Sequence, residues 1–181
     1  MAGFIPELTT RITVNVNSNS MDDAISKIES DPILSQCGEL IGTLQEMKST
    51  LDGLVEPVGA AVAERLQSNQ ETIISTKHYI TGMMANSVDI SQDGHDFIVG
   101  NTAHSIDGFP YPLAIETGRR AVYPIEKKVL RWFEGGQIGG TPIFSHYSSS
   151  VPADPFVEPS INTTIEDIQE IVAEQIKGAF K

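Results

Sequence analysis

Between residues 11 and 16 the chain reads R-I-T-V-N-V, with Ile12, Val14 and Val16 separated by polar neighbours, and this period of two predicts a half-buried strand. Asn17, Ser18, Asn19 and Ser20 then break the pattern. Asp22 or Asp23 suits the cap of a short helix running to Ile28 and stopped by Asp31-Pro32. From Ile33 the spacing changes to three and four: Leu34, Cys37, Leu40/Ile41, Leu44, Met47, Leu51 and Leu54/Val55 predict a helix with one buried stripe. Pro57 fits the first turn of a further helix, whose stripe passes through Val58, Ala61/Val62, Leu66 and Ile73/Ile74, and Gly53 with Pro57 predicts a bend between the two.

Beyond residue 81 the period shortens again. Val88 and Ile90 alternate, Gln92-Asp93-Gly94-His95 carries the Asp-Gly mark of a tight turn, and residues 96–100 return, which together predict a β-hairpin. Residues 101–110 read as a loop and 111–118 as a short apolar segment closed by Gly118. Residues 126–133 predict a short helix with Val129, Leu130 and Phe133 on one side, 135–140 an exposed glycine-rich loop, and 141–147 a strand. Asp154-Pro155 opens a long C-terminal helix whose stripe is Ile161, Ile165, Ile168, Val172, Ile176 and Ala179/Phe180; Pro159 permits a later start, with Thr163 and Glu166 as a capping box. The order predicts an α+β fold: a small antiparallel sheet with a β-hairpin, packed against the long C-terminal helix and the N-terminal helices. Two parts are expected, an N-terminal strand and helical extension over 1–56 and an α+β core over 57–181.

Composition narrows the function classes. At 181 residues and 40% hydrophobic the chain can bury a core, so a disordered acidic tail is not expected. A single Cys excludes a disulfide framework and a thiolate zinc site within one chain. No apolar run approaches the roughly 18 to 20 residues that cross a bilayer, and residues 1–6 lack the basic flank and apolar core of a secretion signal, so a soluble protein without membrane contact is expected. With 24 acidic against 12 basic side chains the net charge is −12, which disfavours broad binding to nucleic acid or anionic lipid.

The positive charge is nevertheless concentrated. Arg119, Arg120, Lys127, Lys128 and Arg131, opposed only by Glu126, give residues 119–131 a charge of +4 and leave −16 on the remaining 168. Such asymmetry suits head-to-tail association, in which a positive patch on one subunit meets a negative face on the next; the same run also reads as a solvated helix face. Trp132, the only tryptophan, lies inside it and fits either an interface anchor or a core position.

Candidate chemistry is sparse. His78, His95, His104 and His146 are scattered without ligand spacing, and surface or turn roles are expected for them. Cys37 lies on an apolar stripe, as a small buried residue would. The glycine run at 135–140 lacks the lysine and following helix of a phosphate cradle. Glu116 is a general base only in isolation, without a neighbouring acid or nucleophile; a structural bond to backbone at the Gly118 turn or to a nearby arginine is expected instead. No cofactor is implied. An enzyme would have to be centred on Glu116 and His104.

Four segments resemble, in order, the HK97 gp10-like tail-completion proteins of tailed bacteriophages. Thr81-Gly82-Met83-Met84-Ala85-Asn86-Ser87-Val88 is similar to their TG-x-L-x-x-S-I element, and Tyr111-Pro112-Leu113-Ala114-Ile115-Glu116-Thr117-Gly118 to Y-A-x-x-x-E-x-G. Residues 123–133, followed by a Gly-containing loop and Pro142-Ile143-Phe144, resemble I-x-P-K-x-x-K-A-L-x-F and the next strand, with Ile125 standing where the lysine of the P-K pair is expected. Pro152-Ala153-Asp154-Pro155-Phe156-Val157-Glu158-Pro159-Ser160 resembles the P-A-x-P-F lead-in to the last helix. The first 55 or so residues extend beyond the usual core. The resemblance implies a non-enzymatic virion protein, made in the host cytoplasm, that forms a ring, often a hexamer, at the head-tail junction. There it ends the tail tube, joins the neck proteins under the portal, and passes DNA through its lumen. The alternative is a head-tail adaptor or stopper bound near the portal, which would follow the portal's twelvefold ring.

Overall fold

Asp93 and Gly94 turn the chain back on itself, Gly94 at a φ of +65°, and the two limbs pair antiparallel as β2 (Val88–Asp93) and β3 (Asp96–Asn101). The computed structural model describes residues 8–32, 38–77, 82–105, 108–124, 129–133 and 142–180, with 130–133 described by backbone. On the other side of β3 lies β1 (Thr9–Ile12), which gives a three-stranded sheet in the order β1-β3-β2. β1 starts earlier and stops sooner than the alternation over 11–16 predicts. Ile12 pairs with Phe97 and β3 begins at Asp96, so the residues after Ile12 run out of ladder. Val14 nevertheless packs inward on an apolar cluster.

One face of this sheet is covered by α3 (Val55–Lys77), whose buried residues Val58, Val62, Leu66, Gln70 and Ile74 recur every four positions. Helix and sheet approach closely at Gly59, where a Cβ would stand 2.7 Å from Cε2 of Phe97. The main core joins Leu66 and Ile74 to Leu8, Val88, Val99 and Phe156. Each such side chain taken fully out of water contributes roughly 2 to 3 kcal/mol.

The last helix, α5 (Val157–Ala179), lies along α3, and its first turn reaches the sheet core through Val157 and Ile161. The face it turns to α3 is only in part the predicted apolar stripe, of which Ile161 and Val172 pack against the core. Buried there are Ser160, Thr164 and Ile171. Asn69 Nδ2 donates to Thr164 Oγ1 at 2.9 Å, and Arg65 pairs with Asp167 at 2.7 Å. Small and hydrogen-bonded side chains let the two helices approach, while Ile165, Ile168 and Ile176 are left 57%, 37% and 38% exposed.

The N-terminal helices are α1 (Asn19–Ser30) and α2 (Gly38–Asp52), which pack chiefly on each other and are tied by the Lys48–Asp22 ion pair. The stripe expected to be buried in α2 is not: neither helix has a buried residue, and Leu40 and Met47 are exposed. After these helices burial resumes at Leu54, in the turn to α3, beside Val58, Val62 and Ile171. Cys37 lies outside the described residues.

The largest departure concerns residues 126–133. Leu130–Phe133 is a strand, β4, paired antiparallel with β5 (Pro142–Ser145), and not the end of a helix. An apolar pattern only eight residues long fits either period, and the choice falls to a partner strand further along the chain, together with the strand preference of aromatic residues such as Trp132 and Phe133; the glycine-rich loop expected at 135–140 lies outside the described residues.

Candidate assembly surface

Between the short helix α4 (Tyr111–Thr117) and α5 the chain leaves the core as a long excursion and comes back. Its two limbs run antiparallel at both described ends. Near the base, Arg119 and Val151 exchange backbone hydrogen bonds of 2.9 Å each, and Val122 and Ser148 exchange bonds of 2.9 and 2.8 Å. Further out, β4 pairs with β5, placing Arg131 opposite Phe144 and Trp132 opposite Ile143 in backbone register.

The base of this ribbon is anchored by main chain. Gly118 ends α4 at φ +73° and ψ 168°, so close to the returning limb that a Cβ would stand 2.8 Å from the amide N of Ala153 and 2.9 Å from the carbonyl O of Val151. The Asp154 N–H donates to the Ile115 carbonyl at 2.9 Å. Glu116 completes the clamp: its Oε2 accepts from the N–H groups of Phe156, at 2.8 Å, and Val157, at 3.2 Å. A carboxylate here satisfies amides that the first turn of α5 leaves unpaired and lies at the positive end of the helix dipole, a cap that contributes about 1 kcal/mol. The partners of Glu116 are thus the start of α5 rather than the Gly118 turn or an arginine. Thr163, the expected capping-box residue, donates to the Pro159 carbonyl inside the helix.

The expected basic residues divide into three groups. Arg119 lies at the base, half-buried, with its guanidinium donating to Ser148 Oγ at 2.6 Å, while Arg120 next to it is exposed. Arg131 and Trp132 sit on β4, and Lys127 and Lys128 lie outside the described residues. Sequence reasoning missed the apolar character of this ribbon. Val122, Tyr123, Ile143, Phe144, Tyr147 and Val151 are all exposed, Tyr123 at 65% and Phe144 at 58%, and the rings of Tyr123 and Tyr147 stack across the limbs with centroids 6.1 Å apart. The available signal was the density of aromatic and β-branched residues on both sides of the glycine run, more than a solvent-facing loop requires.

The remaining candidates show little chemistry. His104 Nδ1 lies 2.8 Å from the Thr102 carbonyl, and the Glu116 carboxylate is occupied by backbone. His95 borders an open cleft of about 400 Å³ with Val14, Val16, Asp52 and Glu56. His78 falls outside the described residues. Among the described residues no group of His, Cys, Asp and Glu is placed to hold a metal ion, and no helix is long and apolar enough to cross a membrane. No family model, curated protein or solved structure gives a significant match to the chain.

Proposed function

We propose that this protein is a structural component of the tailed-phage neck, a tail-completion protein that assembles with copies of itself into a ring between tail tube and head-tail connector, and makes no bonds in any substrate. The observation that carries the reading is the junction of two of the resembling segments. Residues 111–118 and 152–160, far apart in sequence, meet through the Glu116 clamp on Phe156 and Val157 and the contact of Gly118 with Ala153. Their co-occurrence in one chain therefore has a physical reason: together they hold the base of the exposed ribbon.

The surface chemistry agrees. An exposed set of aromatic and β-branched side chains on a β-ribbon, next to the +4 segment, suits contact with a neighbouring protein. A chain of net charge −12 that encircles DNA repels phosphate and lets the polymer slide. Partners in this reading are other copies, the neighbouring neck and tail-tube proteins, and DNA as passing cargo. Changing Lys127, Lys128 and Arg131 together to Glu is expected to weaken ring formation of the purified protein, read by mass photometry; assembly unchanged at several salt concentrations would refute the charge-pairing mechanism. Imaging of intact particles by cryo-EM tests the location, and a neck with no copies encircling the channel would overturn the function.

A further inference from the structure

We propose that the ring contact is heterologous and end to end, with the ribbon base of one copy, Arg120 and Tyr123 foremost, seated in the open cleft at the far end of the next. This rests on the self-assembly proposed above and names the two surfaces. The cleft, of about 400 Å³, is lined by Val14, Val16 and Val55 together with the exposed Asp52, Glu56 and His95. Among the described residues neither carboxylate belongs to an ion pair. Glu56 accepts from the neutral Gln92 amide at 3.1 Å, and Lys48, whose field reaches Asp52, is paired with Asp22. At the adjoining hairpin turn Asp93 and Asp96 share the single Arg11, which leaves further negative charge. Apolar walls beside uncompensated carboxylates suit a partner that brings apolar side chains and a cation together.

The ribbon base carries that chemistry. Across residues 119–124 and 145–153 the charged side chains are Arg119 and Arg120 alone. Arg119 is held by Ser148, whereas Arg120 is exposed and has no ion pair among the described residues. Beside it stand the exposed Val122 and the stacked rings of Tyr123 and Tyr147. Helix α3 separates the two surfaces. Its first residues line the cleft, while Lys77 at its other end pairs with Asp154 at 3.2 Å, next to the Ala153 amide that Gly118 approaches. Its 23 residues rise roughly 33 Å, so base and cleft of one chain do not meet. A symmetric base-to-base contact would bring arginine against arginine, and a cleft-to-cleft contact carboxylate against carboxylate. Only base in cleft places opposite charges and apolar area together. Two copies so joined retain one free base and one free cleft, and the contact propagates until it closes, as a ring requires.

The test is a charge swap at two exposed positions. Arg120→Glu and Glu56→Arg each set like charges against one another, and the double variant restores opposite charges with their places exchanged; circular dichroism should show all three folded as the wild type. In sedimentation velocity at micromolar concentration the wild type is expected to form closed oligomers. Each single variant should need a protein concentration at least about tenfold higher to assemble, and the double variant should return to within about threefold of the wild type. Arg120→Gln and Glu56→Gln repeat the design without introducing repulsion: each weakens assembly, and the two together weaken it no more than either alone. Single reversals that assemble like the wild type, a double reversal as weak as the singles, or neutral variants whose effects simply add would overturn the contact while leaving the ring reading in place. A wild-type chain that remains monomeric throughout overturns both.

Discussion

Gly118 combines two constraints that act on a single atom. Its φ of +73° with ψ 168° falls in a region open essentially to glycine alone. A Cβ would also meet the backbone of Val151 and Ala153, which cannot swing aside as a side chain can. Gly118→Ala is therefore expected to cost about 3 kcal/mol, a fall in Tm of roughly 10 °C for a chain of this size. Amide exchange at Arg119 and Val151 should quicken further if the ribbon base opens, and an unchanged Tm would show that the glycine is dispensable. Gln70 presents the opposite case. It is fully buried on α3, and among the described residues neither its amide nitrogen nor its oxygen has a hydrogen-bond partner. An unsatisfied amide of this kind costs about 1 to 3 kcal/mol. Gln70→Met keeps the length and removes the polar atoms, so thermal unfolding should move up by about 3 °C; a lower Tm would show that the amide is satisfied in solution. Neither residue carries its role in its local sequence, since Gly118 reads only as the close of a short apolar segment and Gln70 as a polar interruption between Leu66 and Ile74.

At the scale of elements, local signals succeed where the partner is close in the chain. The Asp93-Gly94 turn specifies its own hairpin, and the three-four spacing from Ile161 to Ile176 specifies a helix, because each pattern is completed within a few residues. They fail where the deciding contact is remote. β4 depends on β5, beyond the glycine run in the sequence, and the cap of α5 comes from Glu116, some forty residues earlier. The apolar stripe of α5 marks the helix correctly and its buried face only in part, since Ile161 and Val172 pack on the core whereas Ile165, Ile168 and Ile176 stay exposed. The sheet offers a test at the same scale. Arg11 on β1 reaches across to Asp96, at 2.7 Å, and Asp93, at 3.1 Å, at the turn end of the hairpin. The hydrogen bond from Arg11, with a further one from Thr13, holds the Asp96 carboxyl below its ordinary value of 3.8. A carboxyl depressed on folding stabilises fully above its unfolded value and loses that contribution as pH falls through the folded one. The difference in Tm between wild type and Asp96→Asn should thus be constant near neutrality and shrink below about pH 4. A difference that persisted unchanged into that acid range would mean the pair contributes nothing through ionisation.

For the whole molecule, the proposed ring is subject to two electrostatic effects of opposite sign, and they differ in range. In that ring each copy carries −12, so copies repel over distances comparable with the subunit itself, while the +4 segment would attract an acidic surface of the neighbouring copy only at contact. Salt removes the longer-range effect first: the screening length is about 30 Å at 0.01 M, about 10 Å at 0.1 M and about 3 Å at 1 M. Assembly should therefore strengthen as sodium chloride rises from the lowest concentration toward roughly 0.1 M, pass through a maximum, and weaken toward 1 M as the contact pairs are screened in turn. The apolar part of the contact is insensitive to this screening and sets the residual association at high salt. Reversing Lys127, Lys128 and Arg131 removes the attraction and takes the net charge to −18, which leaves repulsion as the only charge effect. That variant should associate weakly and improve steadily with salt, with no maximum. Sedimentation velocity across the series distinguishes the cases, and a wild-type chain that gains affinity all the way to 1 M would show that its contacts are apolar alone and that the clustering of positive charge serves another purpose.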